Sequence, residues 1–451
     1  MVTELHYRSL TELSDALRKK QVSAVELAEH FIARIEALDG TLNAYLLRTP
    51  ERALDAARAA DALGFQGAHP LRGIPYAVKD LYNVAGLATT GGTRILKDAI
   101  ADHDCPVVAR LNAAGMALLG KTNTVQFAYG GVGINHDHGT PHNPWHTVHH
   151  VPGGSSSGSG VAVASGMAPM ALGTDTGGSV RIPAALCSVT GLKTTVGRIS
   201  RDGIYPLSWT LDSVGPLTRN VADSALVYEA LAGHDDADPS THGQRPVRVK
   251  HALDGDIRGL RIAFAESVFW EGVDAEVASA VRRSAQAFEA RGAKVSSIEF
   301  SSAERARTIN PRGLIIAAEA YTLNRRWVDE RFDELDPIVA HRVIKGRDVI
   351  AHEYLANMRE FEQLRRDTIE AMRDIDVLLC PATMHASRTV AEVDGDSETY
   401  GRYNLGYLRN TAIGNTLNLC GLSVPCGFTS EGLPIGLMLY AKPFDEMSAL
   451  R

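Results

Sequence analysis

The chain has few cysteines, no long apolar run and no surplus of positive charge, and each absence removes a class of protein. Its 451 residues hold five cysteines, Cys105, Cys187, Cys380, Cys420 and Cys426, an odd number with no CxxC spacing. That argues against a disulfide frame or a zinc site and predicts reduced, mostly buried thiols. No apolar stretch reaches the roughly 18 to 20 residues that cross a bilayer. The opening MVTELHYRSL carries charge where a secretory leader has an apolar segment, so the expected location is cytoplasmic, with no membrane partner. Lys and Arg number 46 against 53 Asp and Glu, a formal net charge of −7, and broad binding to nucleic-acid phosphates is not expected. The GxxxxGK[ST] phosphate loop is missing too.

What is present is a globular composition: 45% hydrophobic and 22% charged residues, enough for a sizeable core. Ser9-Leu-Thr-Glu12 and Ser23-Ala-Val-Glu26 both fit the capping box and open two helices. The run Ile74 to Val78 predicts a buried strand with Lys79 and Asp80 at its end, their side chains on opposite faces. Then come a helix over Val107 to Ala114, a strand over Met116 to Gly120, a helix starting after KTNT, and a loop from Gly130 to Ser159. A helix over Ser159 to Met167 and a strand over Ala168 to Thr174 follow. The polar stretch 234–257 predicts a surface excursion, and RIAFAES, DVLLCPAT and LSVPCGFTSEGLPIGLMLYA predict later strands around helical patterns at 273–291 and 311–374. This alternation points to an α/β fold with helices on both faces of a sheet.

Two glycine turns carry the chemical interest. Residues 153–160 read GGSSSGSG, and Gly173 to Arg181 read GTDTGGSVR. A flexible linker does not fit the first, because apolar segments continue on both sides. A phosphate cradle lacks the preceding strand and the following acidic residue of a dinucleotide site. Gly154 to Gly158 spells GxSxG around Ser156, but the preceding NPWHTVHHVP cannot supply the buried strand that a nucleophile elbow needs. In the second turn a strand delivers the chain to Asp175-Thr-Gly-Gly-Ser179, and glycines before a serine let backbone N–H groups converge where an oxyanion would form.

Gly153 to Ala184, GGSSSGSGVAVASGMAPMALGTDTGGSVRIPA, resembles the long defining motif of the amidase signature family along its whole length. GIPYAVKD around Lys79, GKTNT, GLKTTVGRIS, DSVGPLTRNVADSALV and GLPIGLMLYAKPFDE extend the likeness over nearly the whole chain. The resemblance implies one large domain over 1–451, a central twisted mixed β-sheet covered by helices on both faces. Within it 1–70 would form N-terminal helices, 71–230 the catalytic core, 231–260 the surface excursion and 261–451 the rest of the sheet with the pocket helices. It also implies a Ser, cis-Ser, Lys triad: Ser179 as nucleophile, Ser155 after a cis peptide bond as relay, Lys79 as base. The oxyanion hole would be the backbone N–H groups of Thr176, Gly177, Gly178 and Ser179, with Asp175 and Arg181 supporting the turn. Phe127, Tyr129, Gly130 and Gly131 would line the substrate pocket, with further walls near Ile315 to Tyr321 and Thr383 to Ser387.

These residue types suit the chemistry. A serine hydroxyl needs a positioned base, and a lysine serves as one only when burial keeps it neutral. The implied activity is hydrolysis of a linear amide through an acyl-enzyme, with no metal or organic cofactor, a small-molecule amide as substrate and a homodimer as the family habit. The alternative is the catalytic subunit of a glutamine-dependent tRNA amidotransferase that needs partner subunits. Against it, Ile182 follows Arg181 where that subunit typically has Gln. Six histidines between His136 and His150 follow no zinc spacing and predict a solvated loop beside the site. The chain stops at Arg451, just past PFDEMSAL, where family members usually continue into a closing helix, so a shortened chain is expected.

Overall fold

The computed structural model describes residues 4–249, 252–253, 255–310 and 313–451. Residues 1–3 of the opening stretch, 250, 251 and 254 of the excursion, and the first two residues of the 311–374 pattern lie outside them. Among the described residues eleven strands form one mixed sheet: β1 (Tyr45–Arg48), β2 (Pro75–Lys79), β3 (Ala117–Thr122), β4 (Met170–Asp175), β5 (Thr190–Lys193), β6 (Ser213–Thr218), β7 (Arg261–Ala265), β8 (Lys294–Ile298), β9 (Val377–Pro381), β10 (Cys420–Phe428) and β11 (Pro434–Ala441). Their order across the sheet is β1-β3-β2-β4-β6-β5-β10-β11-β9-β7-β8. Helices flank both faces, as the alternation predicts.

The site grows from the parallel trio β3-β2-β4, whose residues are all buried. Strands covered on both faces read as apolar runs rather than alternating ones, which is why IPYAV and MALG stand out in the sequence. The register pairs Val78 with Lys121 and with Leu172, so the carboxyl ends of all three strands finish on one edge. Both capping boxes form, Ser9 with Glu12 ahead of Leu10–Arg18 and Ser23 with Glu26 ahead of Ala24–Leu42. At the other end of the chain Glu446, buried in the segment after PFDE begins, accepts from Tyr228 Oη at 3.0 Å, the Thr195 N–H at 2.9 Å and Arg198 Nε at 3.1 Å.

Two expectations are corrected. No helix starts after KTNT; a single 3-10 turn, Gln126–Ala128, follows, with Phe127 at φ +52° and Ala128 at φ +58°. Left-handed backbone cannot continue a right-handed helix. The 311–374 pattern breaks into Leu314–Glu330, Pro337–Val343 and Ala351–Ala371. Pro337 removes a helical donor, and the Asp336 carboxylate caps the new helix by accepting from the N–H groups of Ile338 (2.9 Å) and Val339 (3.3 Å). Among the described residues of the excursion at 231–260, Asp238, Thr241, Val249, Ala252 and Ile257 are buried and anchor it to the body of the protein.

Candidate active site

Lys79 ends β2 with its side chain wholly out of water. Its Nζ donates to Ser155 Oγ at 2.7 Å and to Thr174 Oγ1 at 2.9 Å. Both partners are neutral hydroxyls. Burial pulls the amine down to about 7, with the carboxylates of Asp212 and Asp175 opposing that fall. Asp80 does not neutralise it: the next residue along the chain turns away and pairs with Lys121 Nζ at 2.7 Å. That is the opposite-face arrangement expected of strand neighbours.

The first glycine turn distributes its serines to different tasks. Ser155 follows a cis peptide bond from Gly154 and meets Lys79. Its carbonyl accepts from Thr124 Oγ1 at 2.9 Å and from the Val125 N–H at 3.2 Å, so the KTNT segment holds the turn instead of starting a helix. Ser156 Oγ donates to the Thr174 carbonyl at 3.3 Å, Ser157 Oγ to the Asn123 carbonyl at 3.4 Å and Ser159 Oγ to the Leu172 carbonyl at 3.0 Å. Ser156 therefore faces strand β4 and is not on an elbow. The helix Ser157–Ala164 leads away from this turn, as expected, starting two residues early.

The second turn follows β4. The Ser156 N–H donates to the Ser179 carbonyl at 3.2 Å, which joins the two turns, and Ser179 is 4% exposed. Gly178 has φ +136°, and a β-carbon there would lie 2.1 Å from Thr411 Oγ1, so no other residue fits. The N–H groups of Gly177, Gly178 and Ser179 donate to no group among the described residues. Beneath the turn Arg181 Nη2 donates to Asp175 Oδ1 (2.8 Å) and Asn415 Oδ1 (2.6 Å), Nε to Asp175 Oδ2 (3.0 Å), and Nη1 to Tyr440 Oη (2.7 Å). Burial alone would raise the Asp175 carboxyl, but the guanidinium beside it holds it at about 2. The pair is a fixed frame, with Asp175 also accepting from the Val180 N–H at 3.1 Å.

The segment Phe127 to Gly131 abuts the Ser155 turn, because the Gly154 N–H donates to the Gly131 carbonyl at 2.8 Å. Phe127 is buried and stacks on Tyr205 at 5.8 Å between ring centres. Tyr129 lies under the Arg342 guanidinium, 4.1 Å from the ring centre. A side chain on Gly130 would collide with Tyr400 Oη at 2.8 Å and one on Gly131 with Leu408 Cγ at 2.8 Å. Near the other expected walls, Glu319 is wholly buried and accepts from Tyr354 Oη at 2.6 Å, while Thr383 Oγ1 donates to the His385 carbonyl at 2.8 Å.

The histidine loop is exposed at His136 and His149, as expected of a solvated loop, and is tied down by hydrogen bonds. His136 sits between Asp336 (2.6 Å from Nδ1) and Asp394 (2.9 Å from Nε2), and its hydrogen bond with Asp336 raises it to about 9. His150 is buried and its Nδ1 lies 2.9 Å from the Val148 carbonyl. Among the described residues no group of three or more His, Cys, Asp or Glu side chains could hold a metal ion. Sequence reasoning missed Thr174, Asp212, Asn415, Tyr440 and Glu319. Only Thr174 carried a signal, as a hydroxyl one residue before Asp175 at the end of a buried strand.

A buried amine bonded to two hydroxyls thus lies beside a glycine turn at the carboxyl edge of a mixed sheet. The chain belongs to the Amidase family, whose pattern matches residues 26–450. It is 38% identical over 441 residues to 2-amino-5-chloromuconic acid deaminase of Comamonas testosteroni, covering 97% of this chain and 93% of that one. It is also 38% identical over 476 residues to a Glutamyl-tRNA(Gln) amidotransferase subunit of Moorella thermoacetica, covering 99% and 96%. The native peptide amidase of Stenotrophomonas maltophilia superposes with a TM-score of 0.83 at 28% identity, over 98% of this chain and 94% of that one. No helix among the described residues is long and apolar enough to cross a membrane.

Proposed function

We propose that this amidohydrolase cleaves a linear amide through a Ser179 acyl-enzyme, with Ser155 as relay and Lys79 as base. The observation that carries the proposal is the state of Lys79: buried, bonded only to hydroxyls, and drawn down to about 7, so that it holds a free lone pair near neutral pH. Ser179 Oγ bonds to the amide carbonyl carbon while its proton passes to Ser155 and the Ser155 proton to Lys79. Charge that develops on the carbonyl oxygen is met by the N–H groups of Thr176, Gly177, Gly178 and Ser179. The C–N bond then breaks as the proton returns from Lys79 through Ser155 to the nitrogen. Water repeats the sequence on the ester, releasing the acid and restoring Ser179. Asp175 and Arg181 keep the turn in shape, and Phe127, Tyr129, Gly130 and Gly131 form the pocket wall nearest Ser155.

The test is ammonia release by the protein alone across aliphatic, aryl and carbamoyl amides, with Ser179→Ala as blank and a sulfonyl fluoride to tag the nucleophile for peptide mass spectrometry. Tagging of Ser179 and release that vanishes in the variant are expected. Tagging of Ser156 would overturn the assignment. The tRNA amidotransferase alternative is favoured by the 38% identity to one of that enzyme's subunits. It predicts glutamine as the productive donor only once partner subunits join.

A further inference from the structure

The carboxylate of Asp212 stands beside the oxyanion turn. Its Oδ1 accepts from Thr176 Oγ1 at 2.5 Å, and its Oδ2 accepts from the N–H groups of Leu207 and Ser208, each at 2.9 Å. Burial raises the Asp212 carboxyl above the usual carboxylate range, and its three donors oppose that rise by favouring the ionised form. Asp175, the other carboxylate facing Lys79, has its charge matched by Arg181. No cation pairs with the Asp212 carboxylate at salt-bridge distance among the described residues. Arg201, on the same loop, pairs with Asp238 at 3.5 Å and touches Asp212 only through its backbone carbonyl, at 3.2 Å.

The loop is fixed from outside as well. Glu319, on the helix Leu314–Glu330, accepts from Ser208 Oγ, Thr210 Oγ1 and, at 3.2 Å, the Thr210 N–H. A charge with no cation in contact, Arg201 acting on it from farther off, acts strongly on its neighbours in so dry a setting. Here the neighbour is Lys79, whose partner Thr174 lies across the β4–β6 ladder from Val214, two residues past Asp212; the amine must be neutral to accept a proton and must then keep it as ammonium until the C–N bond breaks.

We infer that Asp212 is a positioning residue with two effects: its hydrogen bond holds Thr176 at the head of the oxyanion turn, and its charge stabilises the ammonium form of Lys79 during acylation. The inference rests on the Ser179–Lys79 mechanism proposed above. Burial remains the dominant influence on Lys79, with Asp212 the largest of the charges that oppose it.

The experiment follows inactivation by phenylmethanesulfonyl fluoride between pH 5 and 9 for wild type, Asp212→Asn and Thr176→Val, each with a melting curve. In the wild type the rate rises with pH through about 7, where Lys79 becomes neutral. In Asp212→Asn this rise moves to lower pH by about half a unit to one unit, because a lost negative charge makes the amine easier to deprotonate. In Thr176→Val the charge remains, so the rise stays in place while the plateau falls roughly tenfold through misplaced N–H donors. A merely structural Asp212 would lower the plateau without moving the rise. An unmoved rise in Asp212→Asn overturns the charge effect, and an undiminished plateau in Thr176→Val overturns the tether. Asp212→Ser serves as the uncharged variant if Asp212→Asn does not fold. A wild-type rate with no rise near 7, or with no tag on Ser179, overturns the parent mechanism instead.

Discussion

Lys79 and Lys121 lie on adjacent parallel strands, one register step apart, and both are sealed from solvent. One is bonded to two hydroxyls; the other is paired with Asp80 and also donates to Thr89 Oγ1 at 2.9 Å. Burial lowers both amines, but in Lys121 the Asp80 carboxylate is the main opposing influence, at hydrogen-bond distance. The difference is the counter-ion. A carboxylate in contact favours the ammonium form of a buried lysine and makes it a strut, whereas a lysine offered only hydroxyls gives up its proton more readily.

The sharpest way to break the comparison is Lys79→Met. Sulfonyl fluoride tagging and amide turnover should fall by about a thousandfold or more while the circular dichroism stays native. The same variant should lose a pH dependence of stability. Because folded Lys79 titrates at about 7 and an unfolded lysine near 10.5, the unfolded chain binds the extra proton between those values. Native stability therefore rises with pH across that window, and the methionine variant lacks this rise in urea titrations at pH 7 and 10.

Lys121→Met should do the converse, leaving Asp80 buried without its cation at a loss of about 3–5 kcal/mol in urea midpoint experiments. The pH at which tagging rises should not move. Thr174→Val removes one of the two hydroxyls on Lys79 and should slow tagging roughly tenfold, through a lost bond of about 1 kcal/mol and a looser amine. Ser156→Ala is the smallest change, within about threefold of wild type, since an exchange of this kind away from the reacting atoms typically costs little. A large effect there would blur the distinction between the two neighbouring serines of the first turn.

How far the sequence reveals this arrangement depends on sequence distance. Lys79 at a strand end, the two glycine turns and the α/β alternation are local signals, and each appears in the structure where the local pattern puts it. The partners of Asp175 and Arg181 are not local: Asn415 and Tyr440 come from the last segments of the chain, and nothing in their own neighbourhoods marks them. The false helix after KTNT has a physical cause of the same kind. Thr124 and Val125 bond to the Ser155 carbonyl, a tertiary demand that overrides helical propensity. The break at Asp336-Pro337 was legible, because Pro at a first helical position behind Asp is a start signal inside an otherwise continuous pattern.

The Arg181 hub has a consequence for how the protein is made. The guanidinium emerges from the ribosome with Asp175 only six residues away, yet its bond to Tyr440 spans 259 residues. At ordinary translation speeds of about 5–20 residues per second, the second glycine turn waits many seconds for its last supporting hydroxyl. Throughout synthesis the turn around Ser179 lacks part of its frame, which is complete only once the strand that carries Tyr440 has been made.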